Sequence, residues 1–272
     1  MNYSGYSKKH FQFSFLCKKS NMSKKPLILV TNDDGIHAKG LKVLTEIAKE
    51  FGDVCVVAPD KPQSGMGHAI TMTEPLRMNK AEYGGVDAWS TSGTPVDCVK
   101  LAVYEIMHRK PDLVLSGINH GSNSSINVIY SGTMSAAVEG AVEGIKSIGF
   151  SLLDHDANAD FENARPFIKS VIKNAIENQM SPGYCLNVNI PKGEIKGIKI
   201  CRQARGYWED SFDVRKDPAK QDYFWLKGEF VLQDKGEDTD IWALNNNYVS
   251  VVPTQFDLTA HHVIANLNTW EL

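Results

Sequence analysis

The sequence predicts an α/β fold: a Rossmann-like, mostly parallel sheet flanked by helices, with a C-terminal β-hairpin arm and a terminal helix. Three observations carry this. The apolar run Leu27-Ile28-Leu29-Val30 ends abruptly in Thr31-Asn32-Asp33-Asp34-Gly35, as a strand buried on both faces does where it leaves a sheet. Strand and helix patterns then alternate as far as Ile190. After Pro191 the alternation stops and short strand patterns follow.

Taken in order, the first strand is followed by Leu41, Leu44, Ile47 and Ala48 at helical spacing. Val54–Ala58 reads as the second strand, closed by Pro59-Asp60, and a glycine-containing loop, Lys61 to His68, comes next. Less regular strands are expected around Ala69–Thr73 and Val86–Ser90. Thr94-Pro95-Val96-Asp97 marks a helix start, with Thr as cap, Pro in the first position and an acid in the first turn. That helix carries apolar residues on most sides as far as Ile106, so burial along its length is expected. Pro111–Ser116 is a further strand, ending in the polar loop Gly117–Asn123. Ser131-Gly132-Thr133 then opens a helix whose Ala136, Ala137 and Ala141 allow close packing. Ile148–Leu153, a helix with Pro166 in its first turn, and Tyr184–Ile190 complete the alternation. Beyond it, Ile198–Cys201, Tyr223–Leu226 and Glu229–Leu232 read as strands, the last two joined as a hairpin at Lys227-Gly228. Tyr248–Val252 is the last strand, and Asp257-Leu258-Thr259-Ala260-His261 opens a short helix. The expected organisation is a disordered extension over residues 1–21 and a single domain over 22–272. Within it the core spans about 26–190, an aromatic-rich oligomerisation arm about 200–235 and a tail 248–272.

Composition narrows the function. Hydrophobic residues make up 42% and charged residues 22% of 272, ordinary for a globular enzyme of one large domain. A net charge of −3 lacks the basic excess of a stable nucleic-acid binder. The five cysteines are scattered, odd in number and without a Cys-x-x-Cys, which suits reduced thiols and a cytoplasmic location. No stretch approaches the ~20 apolar residues of a membrane span. The N-terminal run Phe11–Cys17 is too broken for a secretory signal, and Met22 is an alternative start.

In open α/β sheets, ligands bind at the carboxyl ends of the strands. Three strand-end loops place oxygen donors there: Asn32, Asp33 and Asp34; Ser64; and Asn119. Two carboxylates with neutral oxygens suit Mg²⁺ or Mn²⁺. Each also has a plainer reading, since Asp-Gly, Ser64 and Asn119 are all ordinary turn residues. A fourth loop adds Ser131, Gly132 and Thr133 at a helix N-terminus, where backbone N–H groups favour phosphate.

The phrases Val30 to Ala38, Val57-Ala58-Pro59-Asp60, Gln63-Ser64-Gly65, Gly93 to Val99, Ser116-Gly117-Ile118-Asn119 and Tyr130-Ser131-Gly132-Thr133 resemble the SurE (survival protein E) nucleotidases. The resemblance is strong over about residues 26–190 and extends to the C-terminus through Asp257–His261. It implies a metal-dependent nucleotidase acting on nucleoside 5′- or 3′-monophosphates, with one Mg²⁺ or Mn²⁺ per subunit. Its metal ligands correspond to Asp33, Asp34, Ser64 and Asn119. Asp33, Asp34 and Asn119 are expected to act in catalysis, and Asn32, Ser131, Gly132 and Thr133 to bind the phosphate of the substrate. The resemblance also implies a homodimer or homotetramer. The sequence departs from the family at Gln63, where many members have arginine, and at Ser125 and Asn127, where glycine and aspartate are frequent.

Two other readings stand beside this one. A phosphatase working through an aspartyl-phosphate spaces its two aspartates by one residue, whereas Asp33 and Asp34 are adjacent. A non-catalytic nucleotide-binding module would set two carboxylates against a phosphate, and no glycine-rich phosphate loop follows the first strand. His68 and His120 lie in crevice loops, where packing roles compete with contact to substrate. Asp154-His155-Asp156 reads as a solvated loop rather than a metal cluster. Asp257 and His261, four apart, are placed to pair.

Overall fold

The computed structural model describes residues 25–156 and 158–270. The expected 1–21 extension and Cys17 lie outside the described residues. Strand β1 (Leu27–Thr31) sends Ile28 and Val30 into the core beneath helix α1 (Lys39–Ala48). Its Leu29 points to the opposite face and joins Cys98 and Val99. Alternate side chains thus enter two separate cores, and so the run contains no polar residue. Strand β2 (Asp53–Pro59) pairs parallel with β1.

Strands β3 (Met78–Tyr83) and β4 (Val86–Thr91) form an edge hairpin across Gly84-Gly85, both glycines at positive φ. The strand expected at Ala69–Thr73 is absent. There the Ala69 carbonyl accepts from Thr94, and Thr71 bonds Asp97, so this backbone is committed to a helix start instead of a sheet. That helix, α2 (Pro95–Leu101), has the expected Thr94–Asp97 capping box. It passes into a wider turn at Ala102–Ile106, where Tyr104 and Glu105 are exposed, so the expected burial covers only its first part.

Strand β5 (Leu113–His120) lies on the other side of β1, and α3 (Gly132–Val142), β6 (Lys146–Leu152), α4 (Arg165–Glu177) and β7 (Tyr184–Ile190) continue outward. Helices α1 and α4 cover one face, α2 and α3 the other. Strand β8 (Gly197–Ile200) is the far edge. Strands β9 (Gly206–Lys216) and β10 (Asp222–Leu232) form the arm; α5 (Asp240–Asn245), β11 (Tyr248–Gln255) and α6 (His261–Leu267) follow. Among the described residues, nine strands form one sheet in the order β3-β4-β2-β1-β5-β6-β7-β11-β8. The chain goes from β1 to β2 on one side and later returns to β5 on the other. The strand order therefore reverses between β1 and β5, and a crevice opens there.

The hairpin differs from its expected form. Lys227-Gly228 lies inside β10, with Gly228 opposite Asp210, and the turn is at residues 217–221, around Pro218 and Lys220 at φ 66°. Proline and a residue in the left-handed region make a stronger turn than Lys-Gly does. Phe224 pairs with Val214 and Leu226 with Phe212, so these four share one face, each 55–65% exposed. Helix α5 was not anticipated from the sequence; Thr239 caps it by accepting from the Trp242 N–H. No helix among the described residues is long and apolar enough to cross a membrane. The four described cysteines are free and buried.

Candidate active site

The site begins with how a chain leaving a buried strand satisfies its own backbone. Asn32 Oδ1 accepts from the Gly35 N–H at 3.2 Å, while its Nδ2 donates to the Gly35 carbonyl at 3.1 Å. This closed turn needs Gly35 at φ +97°. It holds the two intervening carboxylates at the rim of the crevice. Asn32 is thus a brace for the loop, with one amide hydrogen left over.

Asp33 is 5% exposed and is fixed from a second element. Thr133, in the first turn of α3, donates its hydroxyl to Asp33 Oδ1 at 2.5 Å. Gly132 lies so close that a Cβ there would come 2.6 Å from the Asp33 Cβ. The α3 N-terminus is therefore seated directly on Asp33. Ser131 caps this helix, its hydroxyl accepting from the Met134 N–H at 3.0 Å. Thr133 spends its only hydroxyl proton on Asp33. Its backbone, with that of Gly132, belongs to the first turn, whose N–H groups find no partner within the helix.

Burial pushes the Asp33 carboxyl up to about 6; the Thr133 bond pulls it down and the Asp34 charge pushes it up again. Burial also raises Asp34, opposed by the charge and the backbone N–H of His120. Asp34 Oδ2 is buried and has no hydrogen-bond partner among the described residues. An orphaned carboxylate oxygen next to a second carboxylate is unstable unless a cation offsets it.

The other two candidates come from neighbouring loops. The Gln63 N–H donates to the Asp33 carbonyl at 2.7 Å, which places Ser64 one residue from the Asp33 backbone. Asn119, at the end of β5, donates Nδ2 to the Gly121 carbonyl at 2.9 Å and so keeps its amide oxygen for another partner. The residues that carry these four oxygen donors thus stand on three strand-end loops around the reversal between β1 and β5. Such oxygens are the hard donors a divalent cation such as Mg²⁺ or Mn²⁺ takes, and with the orphaned oxygen they fit such an ion.

The survival protein SurE family model matches residues 28–210, more than half of the chain. The chain belongs to this family. It is similar to a protein of Flavobacterium psychrophilum named 5′-nucleotidase SurE, 62% identical over 253 residues, covering 91% of this chain and 98% of that protein. A Bacteroides fragilis protein of the same name is 47% identical over 255 residues, covering 92% of this chain and 99% of its own length. The crystal structure of the SurE protein from Aquifex aeolicus superposes with a TM-score of 0.78 at 40% identity, covering 89% of this chain and 98% of that one.

Among the remaining sequence candidates, His120 borders the rim through its backbone N–H and charge toward Asp34, while its ring is held from behind. His120 Nδ1 lies 3.3 Å from the Asp154 carbonyl, and its ring packs edge-on against Phe161. Asp154 pairs with Lys192 at 3.0 Å, the His155 ring lies against Gly121, and no three His, Cys, Asp or Glu side chains are grouped to hold a metal ion among the described residues. Asp257 and His261 pair at 2.9 Å, as their spacing suggests. Sequence reasoning missed the supports behind the rim. Asp240, at the start of α5, accepts from the Ser125 and Ala204 backbone N–H groups at 2.8 and 2.9 Å, and Trp208 of the arm donates to Asn127 at 2.8 Å. Both fix the turn leading to Ser131 from more than 80 residues away, with no local signature in the sequence.

Proposed function

We propose that this chain is a nucleotidase that hydrolyses nucleoside 5′-monophosphates to nucleoside and phosphate, with one divalent metal ion per subunit. Asp33, Asp34, Ser64 and Asn119 would hold the ion, with Mg²⁺ and Mn²⁺ the chemical candidates. The observation that carries this reading is the buried, unpartnered Asp34 Oδ2 beside Asp33, facing a helix N-terminus in a chain 62% identical to a protein named 5′-nucleotidase SurE. Such an ion, once bound, supplies Lewis-acid polarisation of the phosphoryl group. The chain's own residues do the positioning. The N–H group of Gly132 and the Ser131 hydroxyl meet phosphate oxygens, aided by the helix dipole, while the Thr133 backbone N–H also serves the Asp33 carboxylate. Thr133 holds Asp33 in one rotamer, and Asn32 keeps the loop closed while offering its spare amide hydrogen. In the reaction, the phosphorus–oxygen bond to the nucleoside breaks and water supplies the new oxygen on phosphate.

Homo-oligomerisation belongs to the same reading. The exposed face of Phe212, Val214, Phe224 and Leu226 suits burial against another copy in a dimer or tetramer. The deciding experiment is a phosphate-release screen over nucleoside monophosphates after exhaustive chelation, with Mg²⁺ or Mn²⁺ added back. Release should vanish on chelation and return with either ion. Undiminished release without metal, or none from any nucleotide with it, would overturn the reading.

A further inference from the structure

Ser64 is the exposed member of the ligand set, and it lies in a stretch, residues 60–77, with no helix or strand. That stretch is nonetheless tied down on both sides of it. Upstream, Gln63 bonds the Asp33 carbonyl. Downstream, three ties follow in quick succession. His68 Nε2 lies 2.9 Å from Glu139 Oε2 on α3, the Ala69 carbonyl accepts from Thr94 Oγ1 at 2.7 Å, and Thr71 gives its N–H and O–H to the Asp97 carboxylate at 3.2 and 2.6 Å.

Glu139 sets the character of this clamp. Its side chain is 4% exposed, and a buried carboxylate persists only when its oxygens are paired. Lys100 Nζ meets one oxygen at 2.5 Å, and His68 meets the other. Burial pushes the Glu139 carboxyl up, and the His68 and Lys100 bonds pull it back below its ordinary value. Glu139 stands six residues after Thr133 on one helix, about 9 Å further along its axis. The helix whose first turn seats Asp33 therefore also anchors the loop that carries Ser64.

We propose that His68 is a positioning residue: its bond to Glu139 fixes the Ser64 loop against α3 and so sets the Ser64 hydroxyl beside Asp33 and Asp34. This rests on the metal-dependent reading above. The axial distance keeps the His68–Glu139 bond away from the phosphate, so His68 acts through Ser64.

The test uses the full chain and Mn²⁺ calorimetry, with amide hydrogen exchange over residues 61–72 and steady-state kinetics alongside. His68→Leu should bind Mn²⁺ about tenfold more weakly, because a hydrogen bond to a charged group is lost at a half-exposed site. Exchange should quicken over residues 64–70 and stay unchanged in β1 and α3. At saturating Mn²⁺ the KM for nucleotide should remain native. His68→Asn, too short to reach Glu139, should behave like His68→Leu. His68→Gln, which can still donate, should stay within about twofold of native. Native Mn²⁺ affinity in His68→Leu and His68→Asn would overturn the proposal. So would His68→Gln as weak as His68→Leu, because the ring itself would then be needed. Failure of the nucleotidase reading looks different: the unsubstituted chain would itself bind no Mn²⁺ or release no phosphate.

Discussion

Replacing Asp33 by asparagine should stabilise the metal-free protein while abolishing its activity. An ordinary aspartate titrates near 3.8, and Asp33 at about 6. Each factor of ten in proton affinity is worth about 1.4 kcal/mol, so ionising Asp33 in the fold costs about 3 kcal/mol more than in the unfolded chain. The sign follows directly. Between about pH 4 and 6 the folded state binds more protons than the unfolded one, so metal-free stability falls as pH rises through that window. The amide of the Asp33→Asn protein does not titrate, and its oxygen still accepts from Thr133. The advantage of the substituted protein should therefore be near zero at pH 4 and grow to about 3 kcal/mol above pH 6.5. For a chain of this size that corresponds to a Tm higher by about 5–10 °C. Scanning calorimetry in chelator at pH 4, 5, 6 and 7.5 measures it directly. Phosphate release with added Mn²⁺ on the same samples should be lost, because a charged ligand is gone. A substituted protein less stable than native at pH 7.5, or an advantage independent of pH, would refute the assignment of Asp33 as a buried, electrostatically strained carboxylate.

Thr133→Val should lower kcat/KM about ten- to a hundredfold, since one hydrogen bond to a charged group is worth about 1.5–3 kcal/mol. Because that hydroxyl serves Asp33, Mn²⁺ affinity should fall with it in calorimetry; unchanged metal binding would return Thr133 to a phosphate-contacting role alone. Phe212→Ser combined with Leu226→Ser should reduce the mass measured by light scattering, since it removes the apolar face shared by β9 and β10. An unchanged mass would locate the subunit contact elsewhere.

How far the sequence was legible depended on the range of the interactions involved. Strand β1 was legible because its two-sided burial leaves an unbroken apolar run, and α2 because Thr94, Pro95 and Asp97 are a local cap. The rim could be read because open α/β sheets place their ligands at strand ends, so a carboxylate pair after β1 had one place to be. Residues 69–73 were misread because their partners, Thr94 and Asp97, are over 20 residues away; alternation alone cannot distinguish a backbone bonded to a strand from one bonded to side chains. The hairpin register failed for a related reason. Lys227-Gly228 has the composition of a turn, and only pairing across the whole length of β9 and β10 shows that Pro218 and Lys220 make the real one.

The buried polar contacts share one logic that ties these cases together. A carboxylate in a low-dielectric place requires donors, and each donor fixes the element that carries it. Asp97 takes Thr71 and Thr94, Glu139 takes Lys100 and His68, and Asp240 takes Ser125 and Ala204. Each of these three acids is satisfied by the protein, and each joins a loop of the rim to a helix. Asp34 is the exception, with one buried oxygen unmatched. A fold that completes the pairing of its scaffold acids and leaves open one beside Asp33 concentrates its uncompensated negative charge at the switch point of the sheet. That is where a divalent ion gains most from binding, and where two adjacent carboxylates otherwise destabilise the fold.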